Sequence, residues 1–531
     1  MLKLKEESLD WALKHIEMYG DTDIFPVPFE YEAIRYLWDK GVKALPNGNT
    51  LKQYLSNQDM LKWDVRTYRR CLTPKHKYGF RVSTQLDPLD SIIYLSLVYE
   101  IGEDIEAKRV SKDKNVSFSC RFDPNEDGRL FDPKVNYNSF LDYCDDKTHI
   151  LFNDEINYVV VADIADFFPR IYHHPLENAI SSSTNKNMHY QALKNLMKNW
   201  NYSISYGIPV GQSASRLLAE LTLNDIDEGL LSEGIDFCRY VDDFRIFCKT
   251  EKEAYKNLST LANMLFENHG LTLQQHKTRI VPVDEFNTHY LKTDDKKEVD
   301  SLSARFGEIL DGLGISNPYN ELNYHHLPED IQELIDNLNL EAALQDEIES
   351  ENPDTRLVNF ILKRFEQLNS ADIVELVLDN IDKISTSFRQ VFQYISELDI
   401  DSEKKELISG KMLNVLEDSV IGNLEFHKLW VFHTFAKIEG WGNKDLPILY
   451  NEYFDEYSER ELILAMGNAN QQSWFKTRKR NGMNFSEWTR RAFLFSARCL
   501  PGDESTHWYR SMISRLDPLE IAVVEYAKSI R

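Results

Sequence analysis

The sequence predicts an α+β fold over residues 1–295, followed by an all-α, helical-repeat-like region over residues 296–531. Three features carry this. Asn157-Tyr-Val-Val-Val-Ala-Asp163 is an apolar run with the length and β-branching of a buried strand, and it ends on a carboxylate. Phe237-Cys-Arg-Tyr-Val-Asp-Asp-Phe-Arg-Ile-Phe-Cys248 places two strand-like runs around the pair Asp242–Asp243, whose turn chemistry makes a hairpin. Beyond about residue 300 strand signals give way to helical periodicity, as in Ile331–Leu340, Leu357–Leu368, Ile373–Ile384 and Leu462–Met466. No strict repeat consensus is present, so the expectation is an irregular stack of helices.

Taken in order, residues 1–50 read as helical, interrupted by the two prolines of Asp23-Ile-Phe-Pro-Val-Pro-Phe-Glu30. Residues 66–81 carry Arg66, Arg69, Arg70, Lys75, Lys77 and Arg81, either a solvated charged face or a site for a polyanion such as a triphosphate. Residues 103–150, rich in Asp, Asn, Pro and Gly, read as irregular and contain Ser117-Phe-Ser-Cys-Arg-Phe122. Gly207-Ile-Pro-Val-Gly-Gln-Ser213 is a turn able to approach a nucleic-acid backbone closely. It opens a helix with Ala214, Leu217, Leu218 and Leu221 on one face. Ala254, Leu258, Leu261, Ala262, Leu265 and Phe266 mark a further core-facing helix closed by Gly270, and Leu271-Thr-Leu-Gln-Gln275 reads as a strand leading to Lys277. The alternation predicts a sheet with helices on one face.

Bulk properties narrow the function. With 42% hydrophobic and 28% charged residues the chain is of ordinary globular composition. No apolar run reaches the roughly 18 residues of a membrane span, and the N-terminus lacks a signal-peptide core. The six cysteines form no C-x-x-C pair, which speaks against a zinc site or a disulfide framework and makes a reducing cytoplasm the expected compartment. The net charge is −25; residues 1–290 hold 34 cationic against 43 acidic side chains, and the remainder 27 against 43. That makes the chain a poor candidate for a passive duplex-binding coat, because such binding draws most of its affinity from phosphate neutralisation.

A carboxylate closing an apolar strand is costly unless exposed, paired or bound to a metal. Asp163 at such a strand end and Asp242 at the tip of a neighbouring hairpin, with Asp243 beside it, supply what hard cations need. Two such ions can activate an attacking hydroxyl and stabilise a leaving pyrophosphate.

Four stretches then follow one another: Val161-Ala-Asp-Ile-Ala-Asp-Phe-Phe-Pro169, Gly207-Ile-Pro-Val-Gly-Gln-Ser-Ala-Ser215, Tyr240-Val-Asp-Asp243 and Leu271-Thr-Leu-Gln-Gln-His-Lys277. In this order they resemble the four palm motifs of reverse transcriptases, the third being the Y-x-D-D box. The resemblance implies a right-hand polymerase with fingers and palm. It makes Asp163, Asp242 and Asp243 the carboxylates for Mg²⁺, with Mn²⁺ as the alternative, and Ile164 the lender of a backbone carbonyl. Phe168 falls at the ring that bars a ribose 2′-hydroxyl, implying deoxynucleotides, and Lys277 at the lysine that protonates departing pyrophosphate. Lys77 and Arg81 resemble the finger residues that grip the triphosphate, and Pro209 and Gly211 lie in the nucleotide-binding turn. Val210 stands where many relatives carry a polar residue, which puts the contact to the sugar there in doubt.

Ser117–Phe122, Gln212–Glu220, Arg239–Phe247 and the long helical half further resemble the bacterial abortive-infection, phage-defence reverse transcriptases. That group implies a homo-oligomer using dNTPs to build single-stranded DNA without a template, started from a tyrosine of the protein. Tyr31, Tyr36 and Tyr54 are the candidates near the fingers. The competing readings are a templated enzyme of retron or intron-associated kind with a dedicated RNA, and a polymerase-like scaffold whose helical half binds a protein. The acidic balance argues against the first and the intact carboxylates against the second.

Three remaining features are weaker. Trp474-Phe-Lys-Thr-Arg-Lys-Arg480 with Arg490–Arg491 is either a single-strand groove or a solvated helix face over core aromatics, the latter favoured. His173–His174 and His325–His326 lack partners at metal spacing, and Gly312-Leu-Gly314 lacks the strand and third glycine of a dinucleotide loop.

Overall fold

The computed structural model describes residues 1–39, 45, 48–76, 79–149, 155–201, 204–291, 301–302, 305–306, 308–309, 327–437 and 445–530. Lys77, Gly312–Gly314 and His325–His326 lie outside the described residues. The chain forms two compact units. One comprises Met1–Arg70 with Val82–Lys292, the other Cys71–Arg81 with Thr293–Arg531.

The first unit opens with α1 (Glu6–Tyr19), α2 (Glu30–Asp39) and α3 (Leu51–Asn57). A hairpin, β1 (Arg69–His76) and β2 (Gly79–Gln85), leads to α4 (Pro88–Lys108). α4 starts cleanly because Asp87 caps the Leu89 N–H and Pro88 occupies a position that needs no donor. α5 (Tyr137–Thr148) precedes β3 (Tyr158–Asp163), which is followed by α6 (Phe167–Arg170), α7 (His173–Ser183), α8 (Asn187–Trp200), α9 (Ser213–Thr222) and α10 (Asn224–Ser232). β4 (Phe237–Tyr240), β5 (Asp243–Cys248), α11 (Glu251–His269) and β6 (Arg279–Pro282) complete the core of this unit.

The four-stranded sheet has the order β4-β5-β3-β6, and its three strand pairs are antiparallel. Val159 to Ala162 are all buried, as their continuous apolar run predicts; both faces of β3 are therefore covered, and not one as the alternation of strands and helices predicts. Val159 and Val161 join Phe140, Leu141, Cys144, Cys238 and Phe247 in one core beneath α5, and α11 packs on β3 and β5. A strand buried on both faces shows a continuous apolar run in place of alternation.

Three further expectations change. Residues 103–150 are not irregular throughout, since α4 runs to Lys108 and α5 spans twelve residues behind an Asn136–Ser139 capping box. Leu271–Gln275 is not a strand; only Leu273 bridges to Ile164, and β6 begins at Arg279. Phe266 faces solvent, while Ala254, Leu261 and Leu265 hold the buried stripe of α11 and Gly270 closes it in the left-handed conformation.

The second unit is helical across its described residues from Glu329 on. Helices Thr355–Gln367, Phe388–Glu397, Glu425–Lys437, Glu456–Asn468, Glu487–Ser496 and Pro518–Ser529 pack successively, each on the next. Other helices, among them Ser402–Asp418, intervene between them in sequence. This every-second-helix row is the architecture of a stacked helical array, in which each unit buries its apolar face on its neighbours.

Candidate active site

β3 and β5 pair so that Asp163 stands directly opposite Asp243 at their ends. The apolar run Val159 to Ala162 is taken up by the core, and Asp163, still buried, closes the strand. Asp242 precedes β5 at the tip, and its carbonyl accepts the Ile164 N–H at 3.2 Å. One main-chain bond thus ties the two acid-bearing segments together. The bridge from Ile164 to Leu273 uses Ala165 N–H to Thr272 O and Gln274 N–H to Asp163 O, which leaves the Ile164 carbonyl outside it.

The tip is tight. Val241 adopts φ 55°, a left-handed conformation that a β-branched residue takes only under constraint. Its two main-chain groups are engaged by Ser119 and Arg239.

Lys277 lies in a turn closed by Gln274 O and reaches back to Asp163, its Nζ donating to Oδ2 at 2.8 Å. Its ammonium is held above the ordinary lysine value. Burial works against the charge, and the bond to Asp163 with the fields of Asp163, Asp243 and Asp242 outweighs it. Asp243 is pushed up by burial, against which Arg245 acts, with Asp163 adding to the rise. Arg245 was not anticipated from sequence. It sits two residues along β5, hence on the same face, 3.8 Å from Asp243, and is braced by the rings of Phe140 and Tyr290.

These groups fit a divalent cation. Asp163 Oδ1 is buried without a hydrogen-bond partner, and Oδ2 already faces a cationic group, the Lys277 ammonium. Among the described residues no group of three His, Cys, Asp or Glu side chains is placed to hold a metal ion, so protein ligation here rests on one or two carboxylates. An ion held here would therefore complete its shell with water and phosphate oxygens, as Mg²⁺ characteristically does.

The Gly207–Ser213 turn is stitched beside α6. Ile208 N–H bonds Phe168 O, Gly207 N–H bonds Ile171 O, and the Gly207 carbonyl accepts His173 Nε2 and Asn201 Nδ2. His173 is thus a buried clamp on this turn. Phe168 is half-buried against Phe167, and Pro209 is buried. Gly211 has φ +96°, and a Cβ there would lie 2.4 Å from Thr22 Oγ1 and 2.9 Å from Asp23 Oδ1. Its close approach is made by the chain's own Thr22–Ile24 segment.

Arg81 groups with the second unit, and Lys77 is outside the described residues. Arg66 pairs with Asp87 at 2.9 Å, Arg69 bonds Gln85, and Arg70 bonds Trp200 O and Asn201. These three are structural, neither a solvated face nor a polyanion site. Tyr31 is buried, with its hydroxyl pushed well above the usual value by burial and then by Asp21, whereas Tyr36 and Tyr54 are half-buried. In the second unit Trp474 and Phe475 are core residues, Arg478 stacks on Trp474, and Lys476 and Lys479 face Glu504.

The sheet presents paired carboxylates at a strand end and a hairpin tip, with a lysine on one of them, an arrangement compatible with metal-assisted nucleotidyl transfer. Residues 118–303 match the family model described as "Reverse transcriptase (RNA-dependent DNA polymerase)", so over this stretch the chain is similar to that family. Among solved structures, telomerase from Candida albicans with a TWJ fragment of telomeric RNA aligns at 12% identity and TM-score 0.32, over 70% of this chain and 67% of that one. Telomerase from Candida tropicalis with the same kind of fragment aligns at 13% identity and TM-score 0.32, over 68% and 63%. No curated protein matches the sequence. No described helix is long and apolar enough to cross a membrane.

Proposed function

We propose that the protein is a DNA polymerase that adds deoxynucleotides at Asp163, Asp242 and Asp243 without a template, primed by one of its own tyrosines, in abortive-infection defence against phage. The observation that carries the catalytic part is the Asp163–Asp243 register pair with the Lys277 ammonium on Asp163. Asp163, Asp242, Asp243 and the Ile164 carbonyl would hold Mg²⁺ or Mn²⁺, which when bound activates the attacking hydroxyl and neutralises the leaving pyrophosphate. Lys277 keeps a proton at Nζ, where it can be passed to that pyrophosphate as it departs. By the resemblance, the half-buried Phe168 falls at the ring that bars a ribose 2′-hydroxyl, which supports dNTPs as substrates.

Two observations support synthesis without a template. The glycine face at Gly211, available in principle to a nucleic-acid strand, is packed by Thr22 and Asp23. The net charge of −25 also suits an enzyme that clamps no long duplex. The defence role, the tyrosine-linked product and the homo-oligomer rest on the resemblance of Ser117–Phe122, Gln212–Glu220 and Arg239–Phe247 to the phage-defence group.

The test is to incubate the purified chain with dNTPs and Mg²⁺, adding no template or primer. Labelled DNA that stays with the protein after denaturation and is released by protease is the expected result. Synthesis only after an RNA is supplied would establish the templated reading instead.

A further inference from the structure

We infer that Ser119 is a positioning residue for the metal-binding hairpin: with Arg239 it holds the left-handed Val241 and so fixes where Asp242 presents its carboxylate. This rests on the catalytic reading above and extends it to a segment, Ser117–Phe122, that the chemistry had not used.

The geometry is specific. Ser119 Oγ has one proton, donated to Glu220 Oε1 at 2.5 Å, so its lone pair faces the Val241 N–H, which donates to it at 2.9 Å. Arg239 Nη1 donates to the Val241 carbonyl at 2.9 Å. Both main-chain groups of the strained residue are therefore pinned from opposite sides. Arg239 is fully buried and cannot swing away, because Nε and Nη2 grip Asp227 at 2.7 Å each and Nη1 also meets Glu220 Oε2 at 2.9 Å. Glu220 is held by Arg109 at 2.7 Å and Ser117 at 2.8 Å. Its carboxyl stays below the usual glutamate value: burial opposes ionisation, and Arg239 and Arg109 overcome it. The segment itself is fixed to the sheet, since Phe118 N–H bonds Arg239 O and Arg239 N–H bonds Val116 O.

A left-handed β-branched residue persists only where its surroundings over-determine it. Without the Ser119 bond, Val241 can relax toward extended backbone. The Asp242 carbonyl then loses its register on Ile164, and with it the spacing of the two acids. Ser117 offers a built-in control, as it touches the same Glu220 but makes no bond to the tip.

The experiment compares Ser119→Ala, Ser119→Thr and Ser117→Ala in the full chain. Amide exchange of the 240–243 stretch is read without added metal, and Mg²⁺ dependence of dNTP incorporation is read in parallel. In Ser119→Ala, exchange at the tip should rise about tenfold and half-saturating Mg²⁺ should rise roughly 10–100-fold, with the dNTP KM within about twofold. Ser119→Thr should restore both, and Ser117→Ala should stay near wild type at the tip. Unchanged tip exchange in Ser119→Ala, or equal effects of Ser117→Ala and Ser119→Ala, would overturn the inference. Tip loosening in a protein whose wild type incorporates no dNTP would leave the clamp standing and refute the catalytic reading.

Discussion

In the proposed reaction, Lys277 joins two roles in one side chain. Its ammonium lies 2.8 Å from Asp163 Oδ2, so it neutralises a carboxylate that is otherwise buried, and it retains the proton a general acid needs. The two roles separate in Lys277→Arg, because guanidinium keeps the ion pair but does not release a proton in proteins. Lys277→Arg should incorporate dNTPs about 10²–10⁴-fold more slowly than wild type, with the melting temperature preserved. Wild-type rates in single-turnover assays of this variant would reduce Lys277 to a counter-ion. The residue itself was legible from the order of motifs, but its path was not. Leu271–Gln275 reads as a strand, whereas the chain makes only the Leu273 bridge and then turns at Gln274, which is what swings Lys277 back to Asp163.

At the scale of elements, the carboxylate-bearing strand and hairpin could be read locally because each is a short apolar run with an acid at its end. What escaped local reading is pairing over long sequence distances. Arg66, Arg69 and Arg70 look like a cationic surface run until Asp87, Gln85 and Asn201 are folded against them. α5 was missed because its polar surface, Asp142, Asp145, Asp146 and Lys147, masks a buried stripe of Phe140, Leu141, Cys144 and Thr148. The Gly207–Ser213 turn was legible as a turn, but not its partner. Gly211 meets Thr22 and Asp23, the latter ion-paired to Arg216 at 2.7 Å. Gly211→Ala should therefore destabilise the protein by about 1–3 kcal/mol, through both its positive φ and the clash with Thr22. Urea denaturation measures this, and an unchanged midpoint would mean that the Thr22–Ile24 segment shifts aside freely.

Across the whole molecule, the fold class is readable because strand signals mix with helical ones up to about residue 300 and only helical periodicity continues beyond. The buried acids were not readable, since burial has no local signature. Asp21 is buried, and burial pushes its pKa up to about 7, against the main-chain N–H groups of Asp21 and Thr22 and then Arg69, with Glu30 reinforcing. Between the ordinary value of 3.8 and about 7 the folded chain keeps a proton that the unfolded chain has lost. Stability contributed by this group accordingly falls as pH rises through that window and is flat above it. Asp90 acts in the same direction and Glu220 in the opposite one, so the informative quantity is the difference between wild type and Asp21→Asn. Asp21→Asn should gain stability relative to wild type as pH rises from 4 to about 7, read from urea midpoints; a pH-independent difference would contradict the burial account. The central claim is that Asp163, Asp242 and Asp243 form the metal-holding centre of a nucleotidyl transferase. Its most direct test is labelled dNTP incorporation by Asp242→Asn beside wild type in Mg²⁺, with melting curves for both. The account predicts incorporation by wild type and none by a variant that melts at the same temperature, whereas incorporation by Asp242→Asn at the wild-type rate would contradict it.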